Sequence, residues 1–240
     1  MQKQKNNFYV SRKKKLLKDF DKTIKNVKHI FLERYGDEKV SSFIKETRAE
    51  YERIIPLLPD VGGKQPFVQF VIGTGMSLAI YNILKKAGEQ TEEIGKLIYL
   101  LSNQILSSYP KIYYKILGGF YFSKKFIQKA EKGAIESQKR FYPESYVFNF
   151  IPGDGKAFDY GIDYLECASC KFLHQQKADE LASYICPIDI IYSEKFCWGL
   201  KRTKTIADGN DICDFRFKRG GKTEIAVQKK LLNFYYPNKK

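Results

Sequence analysis

The hydrophobic pattern of this chain changes its period once, near Pro143, and that change limits the fold more than any other feature. Before it, apolar residues recur at spacings of three and four. Leu16, Leu17, Phe20, Ile24, Val27, Ile30 and Phe31 make one stripe of a basic helix over Ser11 to Arg34. After it, Tyr146, Phe148 and Phe150 alternate, and so do Phe158, Tyr160, Ile162 and Tyr164. A period of two is that of a half-buried strand. Helices first and a sheet later predict an α+β fold rather than an alternating parallel one. The expected division is a helical region over 1–142 and an α+β region with an antiparallel sheet over 143–240. A single integrated domain is the alternative.

Punctuation sets the expected elements. Gly36 ends the first helix, and a second runs from Glu38 to Leu58, broken by Pro56 and Pro59. Val61-Gly62-Gly63-Lys64 is a loop. A third helix runs from near Pro66 to Lys86, and Thr91-Glu92-Glu93 opens a fourth, with acids where the helix dipole favours them. Pro110 precedes one long helix to about Arg140. In the second half, strands are expected over Ser145 to Ile151 and Phe158 to Tyr164. Short helices follow over Cys167 to Gln176 and Ala178 to Ile185. The last clear element is a hairpin, with arms Leu200 to Ile206 and Ile212 to Lys218 around Ala207-Asp208-Gly209-Asn210.

Composition narrows the function classes. The 240 residues are 43% hydrophobic and 15% aromatic, which excludes disorder as the main state. The start, Met1 to Lys15, lacks an apolar core, so no signal peptide is expected, and residues 1–8 read as a frayed terminus. Phe67 to Leu84 is interrupted by Gln69, Ser77 and Asn82 and reads as a buried helix rather than a membrane span. Five cysteines are too few for a disulfide scaffold and suit a reducing cytoplasm. The net charge of +15 sits at the ends: +8 in residues 1–35 and +7 in 216–240, with 36–215 neutral. Solvated basic faces explain it, so neither a specific nucleic-acid partner nor a membrane partner is expected.

Three cysteines lie beside acids: Cys167 after Glu166, Cys186 three before Asp189, and Cys213 before Asp214. A stabilised thiolate is the strongest nucleophile a protein offers at neutral pH, whereas a buried thiol is only a small hydrophobe. Cys167, Cys170 and His174 share one helix face, a zinc-capable set, but no paired Cys spacing accompanies them. The Gly-x-Ser-x-Gly, Walker and dinucleotide-binding motifs are absent. Gly73-Thr74-Gly75 lies in an apolar helical run, and Gly118-Gly119 reads as close helix packing.

In the hairpin, alternation puts Arg202 with Lys204 and Ile206 on one face, and Thr203 with Thr205 on the other. Cys213, Phe215 and Phe217 share a face opposite Asp214 and Arg216. The run Arg202-Thr203-Lys204-Thr205-Ile206, then Gly209, then Cys213-Asp214-Phe215-Arg216 resembles the closing signature of the L-2-amino-thiazoline-4-carboxylic acid hydrolase family. Pro59-Asp60-Val61-Gly62-Gly63 and Leu78-Ala79-Ile80-Tyr81 resemble its first half, and Cys167, Cys186 and Asp189 fall at similar positions. The resemblance spans about Glu46 to Lys218. It implies water-driven ring opening at the C=N carbon of a cyclic amidine-like metabolite, giving an N-carbamoyl amino acid. The spacing Thr205-x3-Gly209-x3-Cys213 is also similar to the last hairpin of 4-vinyl reductase-type domains. There a Cys usually stands where this chain has Thr205, which argues against a metal at the hairpin.

The leading reading is therefore a small-molecule hydrolase acting on a C–N or C=N bond. Cys186 or Cys167 is the expected nucleophile, with Asp189 as base or orienter. Arg202 is the anchor of a substrate carboxylate, and Thr203, Cys213 and Asp214 line the site. No cofactor is expected, with zinc as the alternative. The runner-up is a non-enzymatic ligand-binding or sensory module of the 4-vinyl reductase type.

Overall fold

Helix α1, Lys13–Tyr35, buries Leu16, Leu17, Phe20, Ile24, Val27 and Phe31, the expected stripe except for half-buried Ile30. Gly36 ends it with a φ of +74°. Helix α2, Asp37–Ile54, returns along it, with Tyr51 stacked on Phe20 at 5.2 Å and Phe43 tilted against Phe31 at 5.0 Å. These features belong to a computed structural model, which describes residues 8–63 and 66–237. The terminus expected to fray over 1–8 lies outside the described residues except for Phe8, and so does Lys64 of the expected loop. Phe8 is docked: its ring sits edge-on to buried Tyr9 and 3.7 Å beneath the Arg12 guanidinium.

Helix α3, Phe67–Lys86, is the core of this unit. Among the described residues it alone is long and apolar enough to cross a membrane, but it is packed as a core helix. Gly75 lets α2 and the segment after it approach, since a Cβ there would lie 2.7 Å from Leu58 and 3.5 Å from Ile54 and Tyr51. Helix α4, Thr91–Ser107, follows. The chain later adds two short helices to the same unit, α7, Ala168–Gln175, and α8, Asp179–Ile185. Thr74 on α3 bonds Ser169 on α7 at 2.8 Å, and Tyr81 donates to Glu180 on α8 at 2.5 Å. Gly95 on α4 accommodates Tyr184, whose Cβ would stand 2.4 Å from an added methyl.

The second unit holds Leu106–Cys167 and everything from Cys186 onward, so the chain leaves it after Cys167 and re-enters at Cys186. It contains a five-stranded mixed sheet. Its strands are β1, Val147–Pro152, β2, Tyr160–Glu166, β3, Lys201–Arg202, β4, Cys213–Phe217, and β5, Glu224–Ile225. The order is β1-β2-β4-β3-β5, antiparallel except for the β3–β5 pair. Helices at the front of the chain and a largely antiparallel sheet after them make this an α+β protein. A row of rings crosses the sheet: Tyr160 stacks on Phe217 at 4.8 Å, and Tyr164 meets Phe215 at 5.3 Å.

Three expectations change, two of them because side chains capture backbone N–H groups. The single helix to Arg140 is two, α5, Lys111–Tyr121, and α6, Lys124–Gln138. They part where Ser123 Oγ accepts the Phe126 N–H at 3.2 Å and caps α6. The hairpin arm from Leu200 stops at Arg202, because Asp214 accepts the N–H groups of Thr203 and Lys204 at 2.8 and 2.6 Å. Thr205 then caps a 3-10 turn, Ile206–Asp208, and Gly209 leaves it at φ +84°. The third change is an added helix, α9, Ile188–Phe196, where no element was expected. Its polar and apolar residues are interspersed around the circumference, so no periodic stripe marks it. Gly118 on α5 packs against the Phe196 carbonyl, which would stand 2.3 Å from an added Cβ, as close helix packing requires.

Candidate functional site

Arg202 ends β3 and is only 2% exposed. A buried guanidinium needs partners. It has Asp189, the second residue of α9, at close ion-pair contact, and the carbonyl of Cys186 at 3.4 and 3.5 Å from its two terminal nitrogens. The Phe215 ring lies 5.3 Å from the guanidinium carbon. Its Nε has no partner among the described residues. Burial works against the Arg202 charge, yet Asp189 and the nearby Cys186 and Cys213 hold its pKa above the ordinary value.

Asp189 keeps 31% of its side chain in contact with solvent. Pro187 stands just before α9, so the carboxylate sits in the helix's first turn, where backbone N–H groups favour an anion. The surrounding protein still pushes its pKa up, opposed by the Arg202 charge.

Cys213 is buried on β4, and its Sγ accepts the Ile206 N–H at 3.2 Å. Burial pushes this thiol up to about 12, and Cys186 and Cys167 are near enough to add to the effect. Across the ladder from Cys213 stands Tyr164 on β2. Its hydroxyl is pushed up by burial and by Asp189, Cys167 and Cys213 around it. The structure therefore brings Cys167, Cys186, Asp189, Arg202 and Cys213 into one neighbourhood. Tyr164 joins them, a residue that sequence reasoning placed on a strand face without a chemical role. Its only signal was alternation with Ile162.

The other expected residues lie elsewhere. Asp214 points to the opposite face of β4 from Cys213. Its second carboxylate oxygen accepts the Thr203 hydroxyl at 2.6 Å, so Thr203 and Asp214 clamp one another. Arg216, on that same face, pairs with Asp163 at 2.6 Å. Glu166, beside Cys167, is in ion-pair contact with Arg140. Cys170 and His174 belong to α7 in the first unit, where His174 Nδ1 lies 2.6 Å from Asp179. Among the described residues, no three His, Cys, Asp or Glu side chains are grouped to hold a metal.

Chemically, the cluster offers a partly exposed carboxylate oriented by a buried cation, with the Cys186 thiol on the adjoining segment. A carboxylate so placed can take a proton from an attacking thiol or water. The family model for L-2-amino-thiazoline-4-carboxylic acid hydrolase matches residues 69–217, which include every residue of this cluster. The Pro59 to Gly63 run that also resembled the family lies before the match. No curated protein and no solved structure matches the chain at a significant level. With a match across more than half of its length, from core helix α3 to the end of β4, the chain belongs to the L-2-amino-thiazoline-4-carboxylic acid hydrolase family.

Proposed function

We propose that this protein is a hydrolase acting at the C=N or C–N carbon of a heterocyclic or amide-like metabolite. Ring opening of L-2-aminothiazoline-4-carboxylate is the model reaction. One observation carries the reading: Arg202 fastens Asp189 to the segment that holds Cys186. That arrangement ties the candidate base to the backbone of the candidate nucleophile, which supports a base-assisted attack. In the reaction, Cys186 or a water adds to the C=N carbon while Asp189 receives the proton of the attacking group. The adduct collapses with cleavage of the ring C–S bond, and the ring sulfur leaves as a thiol. Net addition of one water gives the N-carbamoyl amino acid. If Cys186 attacks, water then displaces it. Arg202 is the proposed anchor of a substrate carboxylate, with its Nε the one guanidinium nitrogen left unpartnered among the described residues. Cys167 is the second candidate nucleophile. The reaction needs no metal or organic cofactor and runs in a reducing, cytoplasmic setting where the thiols stay reduced.

The test is to incubate purified protein with L-2-aminothiazoline-4-carboxylate, with and without a chelator, and follow the carbamoyl product by mass spectrometry. Product formation unaffected by the chelator is expected. Cys186→Ser should cut turnover by orders of magnitude with little change in melting midpoint, and Cys170→Ser should do little. Loss in Cys167→Ser instead moves the nucleophile. Full activity in both leaves attack by water assisted by Asp189. Failure of Asp189→Asn to lower turnover, or absence of product from a panel of cyclic amidines, overturns the reading.

A further inference from the structure

One face of α5 is left largely open to solvent, apart from ring contacts of Phe120 with Phe126 and of Tyr113 with Phe196. Ile112 is 59% exposed and Ile116 64%, and Tyr113 and Phe120 are also exposed. At ~100° per residue these four fall within an arc of about 100°. The opposite face is held in place, with Gly118 against the Phe196 backbone and Tyr114 and Tyr121 packed on the Phe196 ring at 4.9 and 5.8 Å. The apolar stripe is thus presented outward on a helix whose other side is anchored. Just ahead of α5, exposed Tyr109 stacks on Tyr113 at 5.4 Å and extends the stripe.

Charge says what covers it. Lys115 is exposed about 60° beyond one edge of the stripe, and Lys111, also exposed, lies further round at the start of the helix. From residue 97 to residue 130 the sequence has no Asp or Glu and five lysines. Lys124 and Lys125, also exposed, open the next helix. A second copy of the chain is a poor occupant, because a two-fold interface sets a patch against itself and these lysines would face lysines. Aliphatic side chains flanked by tyrosine and lysine, on a helix with one buried face, suit the boundary of an anionic bilayer. There apolar side chains enter the acyl region and lysines reach the headgroups.

We propose that the exposed face of α5 docks this protein peripherally on anionic lipid surfaces, through Ile112, Ile116 and Phe120 with Lys111 and Lys115. This departs from the expectation of no membrane partner. That expectation took the basic charge as solvated faces and read Phe67 to Leu84 as a buried helix, and it did not weigh the outward face of α5.

The experiment is co-sedimentation of the full chain with vesicles of phosphatidylcholine alone and of phosphatidylcholine with phosphatidylserine. The protein should pellet with the anionic vesicles, and added salt should release much of it. Ile112→Ser with Ile116→Ser should weaken this binding at least about tenfold. Lys111→Glu with Lys115→Glu should weaken it too, both with unchanged circular dichroism and melting midpoint. Absence of binding to anionic vesicles overturns the proposal, as does equal binding to neutral ones. Binding that survives both double variants also overturns it, since the contact then lies elsewhere. A concentration-dependent dimer abolished by the isoleucine variants makes the face a self-interface and overturns it as well.

Discussion

The guanidinium of Arg202 joins the carboxylate of Asp189 to the carbonyl of Cys186, so one buried cation at the end of β3 fixes both the start of α9 and the residue before Pro187. The two arms of the site come from segments that are not neighbours in the sheet. Breaking this joint should therefore disturb stability and geometry together.

Arg202→Ala leaves Asp189 without its counter-charge and should cost about 2–4 kcal/mol, toward the low side for a broken buried pair because Asp189 keeps contact with water. Arg202→Lys should recover little, since an ammonium cannot span the carboxylate and the carbonyl as a planar fork does. Urea denaturation midpoints measure both. A loss under 0.5 kcal/mol, roughly that of an ordinary surface change, would show that the pair is not integral to the fold.

Cys213 gives the protein a pH-dependent stability. Its folded pKa is raised by burial to about 12, above the unfolded value of ~8.5. The folded state therefore holds this proton where the unfolded state has lost it. The contribution is complete below the unfolded pKa and is lost as pH rises toward the folded one. Stability should fall by up to ~1.4 kcal/mol per pH unit above about pH 8.5 from this group. Cys213→Ala should remove that slope in denaturation curves collected between neutral and alkaline pH. The same burial makes Cys213 slow toward iodoacetamide in the native state.

Gly209 leaves the 3-10 turn at φ +84°, and an added Cβ meets nothing within 4 Å. The cost of a side chain there is pure backbone strain. Gly209→Val should destabilise by about 1–3 kcal/mol, and Gly209→Asn by less, since Asn tolerates the left-handed region. Equal melting midpoints for the two variants would contradict this.

Asp214 accepts two backbone N–H groups and the Thr203 hydroxyl. Asp214→Ala should cost about 1–3 kcal/mol and speed amide exchange at Thr203 and Lys204. Amide exchange that stays slow at those two positions would mean that the rest of the loop, not the clamp, holds them.

The sequence alone determined most of the helical segments, though not α9, and it determined where the pattern turns to strands, the buried stripe of α1, the turn at Gly209 and the burial of Cys213. Each of these follows from local rules: side-chain periodicity, proline and glycine geometry, and alternation along a strand. It also carried the family signature in the run from Arg202 to Arg216. Only the tertiary structure decided that α7 and α8 leave the sheet-bearing unit and pack on α3. It also decided that Asp189 faces Arg202, that Tyr164 stands beside the thiols, and that Thr203 and Asp214 satisfy each other. Those outcomes depend on which distant groups compete for the same hydrogen bonds once water is excluded, and no local period records that competition. The split between α5 and α6 lies between the two cases. Ser123 is a capping residue visible in the sequence, but the continuous apolar spacing on both sides hides the break until the backbone N–H of Phe126 turns to it.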